Sequence, residues 1–280
     1  MEKEKTIELL NKDLQDEHGA IIQYLNHAYS IGEGEISCEI EAIARDEMRH
    51  LDWLAETIVA LGGTPSLERG TMRMGGALVT EWMSNDVLLE EGAIAQYKEH
   101  IKLIDHPKIK RLLQRILADE EAHHGDFQHF VEKVKKEGAR DIRGSRADET
   151  AQLLNWGIEH EYTVILQYLL HSYLIPNEEV KKQLQDQAIN EMQHLGWLAE
   201  KMVDRGGNPR IEHSEVAESP QAADMLKADI KIETEVAAAY DRAAKREKDA
   251  DLKKLLLRIR DNEWYHMEVF KDLLAEEAGK

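Results

Sequence analysis

Residues 46–53 read DEMRHLDW, and residues 190–197 read NEMQHLGW. The word E-M-x-H-L-x-W therefore returns 144 positions after its first use. Working outward from it, residues 13–65 align on 157–209 without a gap. Glu17 falls on Glu161, I-x-Q-Y-L-x-H at 21–27 falls on 165–171, and Gly62-Gly63-x-Pro65 falls on Gly206-Gly207-x-Pro209. The later parts align at an offset of 143, where Glu90 meets Glu233, Tyr97 meets Tyr240, Glu120 meets Glu263 and His123 meets His266. So long a period is not a solenoid unit. It reads as two copies of a whole domain, placed at 1–138 and 148–280.

Each copy holds four long stretches with apolar residues at helical spacing. They fall near 3–31, 35–61, 78–104 and 107–137, then near 146–174, 177–205, 221–247 and 249–277. Asp105-His106-Pro107, Pro176-Asn177 and Ser219-Pro220 carry the chemistry of helix starts. Gly62-Gly63 and Gly206-Gly207 carry that of helix stops. Nothing alternates with period two, so the expected class is all-α. Helices one and two are joined tightly, as are three and four, with a long connection between the pairs. Tight turn, long crossover and tight turn describe a four-helix bundle with one long crossover between helices 2 and 3.

The formal charge of −19 argues against nucleic acid, which demands clustered Lys and Arg, and suits a protein that attracts cations. No apolar run reaches the length of a membrane span, and the acidic amino-terminal stretch lacks a signal-peptide core. The single cysteine, Cys38, excludes an internal disulfide and a thiolate cluster. A cytoplasmic location is the expectation.

One E-x-x-H is weak evidence in so acidic a chain, but this one has five, starting at Glu47, Glu120, Glu121, Glu191 and Glu263. Four stand in the same register in the two copies, on the second and fourth helices. Residues i and i+3 share a helix face, so each pair can grip one ion with a carboxylate and an imidazole. The first and third helices offer a lone glutamate each: Glu17 and Glu90, then Glu161 and Glu233. Every lone glutamate precedes the next helix's glutamate by 30 residues, which relates the two hairpins of a half by an approximate two-fold. The set per half is four Glu and two His. Four carboxylates balance the charge of two divalent ions, and without metal they would raise one another's pKa. Glu121-His124 is rotated about 100° off the ligand face and reads as surface.

These residues give each half a resemblance to bacterioferritin and the wider ferritin-like di-iron carboxylate proteins. LLNKDLQDEHGAIIQYLNHAY is similar to the family's first helix and DEMRHLDW to its second. DVLLEEGAIAQY and LADEEAHHGDF supply the third and fourth. The resemblance implies two tandem ferritin-like bundles, each with a di-iron centre. It makes Glu47 and Glu120 bridges, Glu17 and Glu90 terminal ligands, and His50 and His123 the holders of one iron each. In the second half the matching set is Glu161, Glu191, His194, Glu233, Glu263 and His266. Manganese also suits such ligands.

Further residues extend the reading. Asp46 and Asp119 can each reach the histidine of the opposite helix, fixing its tautomer. Asn190 and Asn262 replace them in the second half, which predicts weaker metal binding or a higher potential there. Neutral drift is the alternative. Tyr24 and Tyr168 stand seven residues after Glu17 and Glu161, where the family's tyrosine lies beside the irons and can supply an electron; a core tyrosine is the other reading. Met48 and Met192 occupy the position where bacterioferritins hold a haem between two subunits, and adaptable packing is the rival. A connection at 138–147, GARDIRGSRA, can span up to roughly 33 Å. That reach would let the halves pack as a pseudo-dimer around such a haem.

The activity expected is a non-haem di-iron oxidoreductase of the ferroxidase type, oxidising Fe(II) with O2 or H2O2. One alternative is iron storage in a shell, against which stands the absence of a fifth helix after either half. The other is a non-catalytic scaffold. A further homo-oligomer is compatible with each.

Overall fold

The computed structural model describes residues 2–137 and 148–278. The connection read at 138–147 lies outside the described residues. The chain separates into two compact units, residues 1–144 and 145–280. Among the described residues there are helices and no strands.

The first unit runs α1 (Lys3–Ile31), α2 (Glu35–Ala60), α3 (Val79–Leu103) and α4 (Pro107–Glu137). The second runs α5 (Glu149–Leu174), α6 (Glu178–Asp204), α7 (Ala222–Arg246) and α8 (Ala250–Ala278). The sequence-derived spans agree within a few residues at the boundaries among the described residues; the fifth span's start at 146 lies outside them. α2 and α6 stop as the glycine pairs predict. Gly62 and Gly206 take φ of +74° and +71°. Gly63 then donates to Ile58 O and Gly62 to Val59 O, with Gly207 to Met202 and Gly206 to Val203 in the second unit. That pairing satisfies the last helical carbonyls as a Schellman motif. At the start of α6 the Asn177 side chain accepts from Glu179 N, a capping contact that supports the reading at Pro176-Asn177.

In the first unit α1 packs on α2, α3 on α4, α1 on α3 and α2 on α4; the second unit repeats this. The long crossover explains the arrangement. After α2 the chain runs back alongside α1, bonding as it goes: Asn11 Nδ2 donates to Thr64 O, Gly70 N to Gln15 O and Arg73 N to Gln23 Oε1. It delivers α3 to the far pole, antiparallel to α1. Gly19 permits the close approach, because a Cβ there would lie 3.1 Å from Gly70 O. In the second unit Thr163 stands at that place and its hydroxyl accepts from Ser214 N instead.

Apolar side chains close each pole. At one end of the first unit Tyr24, Ile40, Ile43, Met83, Phe127 and Phe130 form a cluster, and Tyr168, Leu184, Met225 and Phe270 do the same in the second. At the other end Leu10, Leu14, Leu54, Ile58, Leu113 and Ile116 are buried. Each such side chain contributes about 1.5–3 kcal/mol. The two apolar poles offset the cost of what lies between them, a layer of buried carboxylates and imidazoles.

Candidate metal centres

Each helix of the first unit contributes to that layer at mid-length. α1 supplies Glu17, α2 supplies Glu47 and His50, α3 supplies Glu90, and α4 supplies Glu120 and His123. All six are 4 % exposed or less. Their ligand atoms fall into two quartets, Glu17–Glu47–His50–Glu120 and Glu47–Glu90–Glu120–His123, each gathered within 4.8 Å. Glu47 and Glu120 belong to both. The second unit repeats the pattern with Glu161–Glu191–His194–Glu263 and Glu191–Glu233–Glu263–His266. The structure thus brings together every glutamate and histidine that the sequence singled out in register. Glu121-His124 stays off this face, with Glu121 paired to Lys98 and His124 beside Glu91 at the surface.

The histidines face inward through Nδ1. His50 Nδ1 lies 2.8 Å from Glu47 Oε2, 3.0 Å from Glu120 Oε1 and 3.4 Å from Glu17 Oε2. His123 Nδ1 lies 2.9 Å from Glu47 Oε1. Their Nε2 atoms point away, His50 to Asp119 at 3.4 Å and His123 to Asp46 at 3.5 Å, each on the opposite helix. In the second unit Asn262 Nδ2 lies 2.8 Å from His194 Nε2, while Asn190 turns to Gln187. The two units therefore differ at the outer nitrogen of the imidazoles and agree at the inner one.

Burial sets the electrostatics. It pushes Glu17 up to about 8, with the Glu47 charge adding to the rise. Burial and neighbouring carboxylates push Glu90 and Glu120 well above the usual range. Burial also opposes ionisation of Glu47, but the adjacent imidazoles of His123 and His50 outweigh it and hold Glu47 down at about 2. For the imidazoles burial works toward neutrality, yet the surrounding carboxylates win. His50 is raised and His194 is pushed up to about 12. Mutual repulsion was expected from the sequence; desolvation is the larger cause.

Do these residues fit a metal pair? Glu47 Oε1, Glu90 Oε2, Glu120 Oε1, His123 Nδ1, both oxygens of Glu191, Glu263 Oε1 and His266 Nδ1 are buried without a hydrogen-bond partner. Leaving such groups unsatisfied costs about 1–3 kcal/mol each. All are oxygens or imidazole nitrogens converging on two points per unit, which is the donor set of a di-metal carboxylate centre. They fit.

Tyrosines flank each centre. Tyr24 donates to Glu90 Oε1 at 2.5 Å, so it serves the glutamate of the neighbouring helix rather than that of its own. Tyr168 does the same for Glu233. The sequence reading missed the reciprocal pair: Tyr97 donates to Glu17 and Tyr240 to Glu161. A signal was present, because Tyr97 and Tyr240 stand seven residues after Glu90 and Glu233, as Tyr24 and Tyr168 do after theirs. Glu17, Glu90, Glu161 and Glu233 are thus each oriented by a hydroxyl across the α1–α3 or α5–α7 seam. Tyr97→Phe is expected to weaken metal binding at the Glu17–His50 side about tenfold or more and spare the Glu90–His123 side. A two-phase Co(II) titration checks it, and equal weakening of both phases would argue against a positioning role. Trp53 and Trp197 pack beside His50 and His194, with ring centres 5.9 and 5.6 Å apart. Met48 and Met192 are half-buried, next to Glu47 and Glu191. Cys38 is exposed. No helix among the described residues is long and apolar enough to cross a membrane.

Comparison with known proteins agrees with this architecture. The ferritin-like domain matches twice, over residues 7–136 and 151–278. The bacterioferritin of Desulfovibrio desulfuricans is 33 % identical over 142 residues, covering 49 % of this chain and 79 % of the relative. That of Streptomyces coelicolor is 34 % identical over 140 residues, covering 48 % and 84 %. An X-ray structure of the D. desulfuricans protein, describing its diiron site in different catalytic states, aligns with a TM-score of 0.45 at 34 % identity. It covers 48 % of this chain and 82 % of that one. Matched once in each half over nearly the whole of each bundle, this chain belongs to the ferritin family as two ferritin-like four-helix bundles in tandem.

Proposed function

We propose that both bundles, taken as residues 1–138 and 148–280, are di-iron centres that oxidise Fe(II) with O2 or H2O2, a ferroxidase-type activity. The observation that carries the reading is the pair of overlapping quartets in each bundle, sharing Glu47 and Glu120 or Glu191 and Glu263. Sharing two carboxylates holds two cations a few ångströms apart, and two adjacent irons can each give one electron to a single oxidant. The protein's part is positional and electrostatic. Glu47 and Glu120 would serve both cations, while Glu17 with His50 and Glu90 with His123 would each serve one. Tyr97 and Tyr24 keep the terminal carboxylates in one orientation, Asp119 accepts from His50 Nε2, and Asp46 faces His123 Nε2, so that Nδ1 stays free for metal. Tyr24 and Tyr168, each touching Glu90 or Glu233, are also candidate one-electron donors, and Tyr97 and Tyr240 hold the equivalent place at Glu17 and Glu161.

Anaerobic Fe(II) titration of the metal-free chain, followed by oxygen and read by near-ultraviolet ferric absorption, tests this. Saturation near four irons per chain is expected. No uptake would leave a scaffold. Under limiting iron the first bundle should fill ahead of the second, because Asn190 and Asn262 bring no charge to their imidazoles. The double variant Asn190→Asp, Asn262→Asp should raise second-bundle affinity about tenfold. Equal filling in the parent chain would assign the asparagines to drift. Haem held by Met48 and Met192 is the separate, lesser reading, and a Soret band in the purified protein is its test.

A further inference from the structure

The tyrosines beside the two centres do not all lead to the same surroundings. Tyr24 and Tyr168 pack against Phe127 and Phe270, with ring centres 4.8 and 4.9 Å apart, and both phenylalanines are fully buried. A phenyl ring lacks the hydroxyl or indole nitrogen that lets a side chain give up one electron, so these contacts end in the core. Tyr240 differs. Its ring meets that of Trp156 edge to face, with centres 5.4 Å apart and planes at 66°. Tyr240 is fully buried, whereas Trp156 is 38 % exposed. Because Tyr240 donates to Glu161, a member of the Glu161–His194 quartet, one hydrogen bond and one ring contact lead from that quartet to water.

Local sequence builds this contact. Gly157, next to Trp156 on α5, leaves room for the phenol, because a Cβ there would lie 3.0 Å from Tyr240 Oη and 2.9 Å from Leu198 Cδ1. One turn further along α5 the His160 ring stacks on Trp156, 5.6 Å between centres and 20° between planes, and fixes the indole in place. The first bundle provides a comparison inside the same chain. Lys12 takes the place of Trp156 there, with its amine paired to Asp16, and Asp13 takes that of Gly157. Tyr97 reaches Glu17 as Tyr240 reaches Glu161, but with no indole at the position of Trp156. The chain keeps the six-residue centre in both halves and this route to the surface in one.

We propose that Trp156 and Tyr240 carry single electrons between the surface and the Glu161–His194 side of the second bundle's centre. The step rests on the di-iron reading, with Fe(II) as substrate and H2O2 as oxidant. Reducing H2O2 to two waters takes two electrons and two protons. A lone Fe(II) in the bundle supplies one electron, and the aromatic pair supplies the other. Tyr240 gives up that electron while its phenolic proton shifts to Glu161 along their hydrogen bond. Trp156 then passes an electron to Tyr240, the proton returns from Glu161, and the exposed indole releases its N–H proton to water. In sum, H2O2, one Fe(II), one indole N–H and one further proton give two waters, Fe(III) and a neutral indolyl radical. A thiol or enediol reductant in solution returns an electron and a proton to the indole. Asn190 and Asn262 are expected to weaken metal binding in this bundle, so it is the one in which a lone Fe(II) meets the oxidant.

Pulse radiolysis of the metal-free full chain with azide radical, which oxidises exposed indoles, tests the route without iron. A phase of indole-to-phenol radical transfer is expected that is lost in Trp156→Phe and in Tyr240→Phe and kept in Trp264→Phe, a control at another exposed indole. Rapid-freeze EPR after H2O2 is added at limiting Fe(II) supplies the second readout. The parent should show an indolyl radical, recognised by its narrowing when ring-deuterated tryptophan is incorporated, and Trp156→Phe should abolish it. Iron uptake with the same indolyl radical in Trp156→Phe overturns the proposal and leaves the di-iron reading intact. Radical transfer unchanged in both Trp156→Phe and Tyr240→Phe overturns it as well. Absence of iron uptake with the transfer phase present does the reverse, since the route then stands and the di-iron reading falls.

Discussion

Glu47→Ala is expected to strip the first bundle of metal, leaving about two irons per chain where the parent is expected to take about four. Glu17→Ala should remove about one. The difference follows from geometry, because Glu47 belongs to both quartets of its bundle and Glu17 to one. Its two oxygens face different imidazoles, Oε2 toward His50 and Oε1 toward His123. Removing it opens both positions and takes from two buried imidazoles their nearest carboxylate. With Glu191→Ala added, the same should happen in the second bundle, where Glu191 faces His194 and His266. Iron oxidation by the double variant should fall by about three orders of magnitude, the scale of losing a centre rather than a contact. Iron counting and oxygen consumption on the same samples check it. A double variant that still oxidised iron at near the parent rate would place the chemistry elsewhere.

The metal-free chain should lose stability as pH rises from 5 to 8. Glu17 has its folded pKa raised from 4.5 to about 8. A raised carboxylate contributes stability that is full below 4.5 and lost as pH climbs toward 8. The raised histidines act in the same direction above their unfolded value of 6.5. Glu47, held at about 2, loses its contribution only on acidification below 4.5, so it is flat across this window. For the fully buried Glu17 the shift corresponds to about 5 kcal/mol at most. The metal-free midpoint is therefore expected to drop by about 10 °C or more between pH 5 and pH 8. Divalent metal should reverse the trend, because it binds the ionised carboxylates that are costly without it. Thermal melts at the two pH values with and without Mn(II) decide the matter; a metal-free midpoint that rises with pH would contradict the raised carboxylates.

The helices and the main metal-binding candidates were legible because both rest on short-range periodicity. An E-x-x-H places its two side chains on one helix face whatever the helix packs against, and Gly62-Gly63 ends a helix by local backbone geometry. Duplication added the register: Glu17 and Glu90 gained meaning from Glu161 and Glu233. Contacts between helices are a different matter, since they depend on the rotation and stagger of elements far apart in sequence. Nothing local to Tyr24 says that its hydroxyl reaches Glu90 rather than Glu17, or that Tyr97 returns the contact to Glu17. The contacts of Asp13 with Gln96 and His100 were invisible for the same reason. Asp13 and Gln96 are 83 residues apart, and the antiparallel seam of α1 and α3 brings them together. By itself the sequence determined two four-helix bundles and a glutamate–histidine face in each. The tertiary structure decided which hydroxyl orients which carboxylate and which buried polar atoms are left for a cation, because side-chain partners across a seam are set by packing.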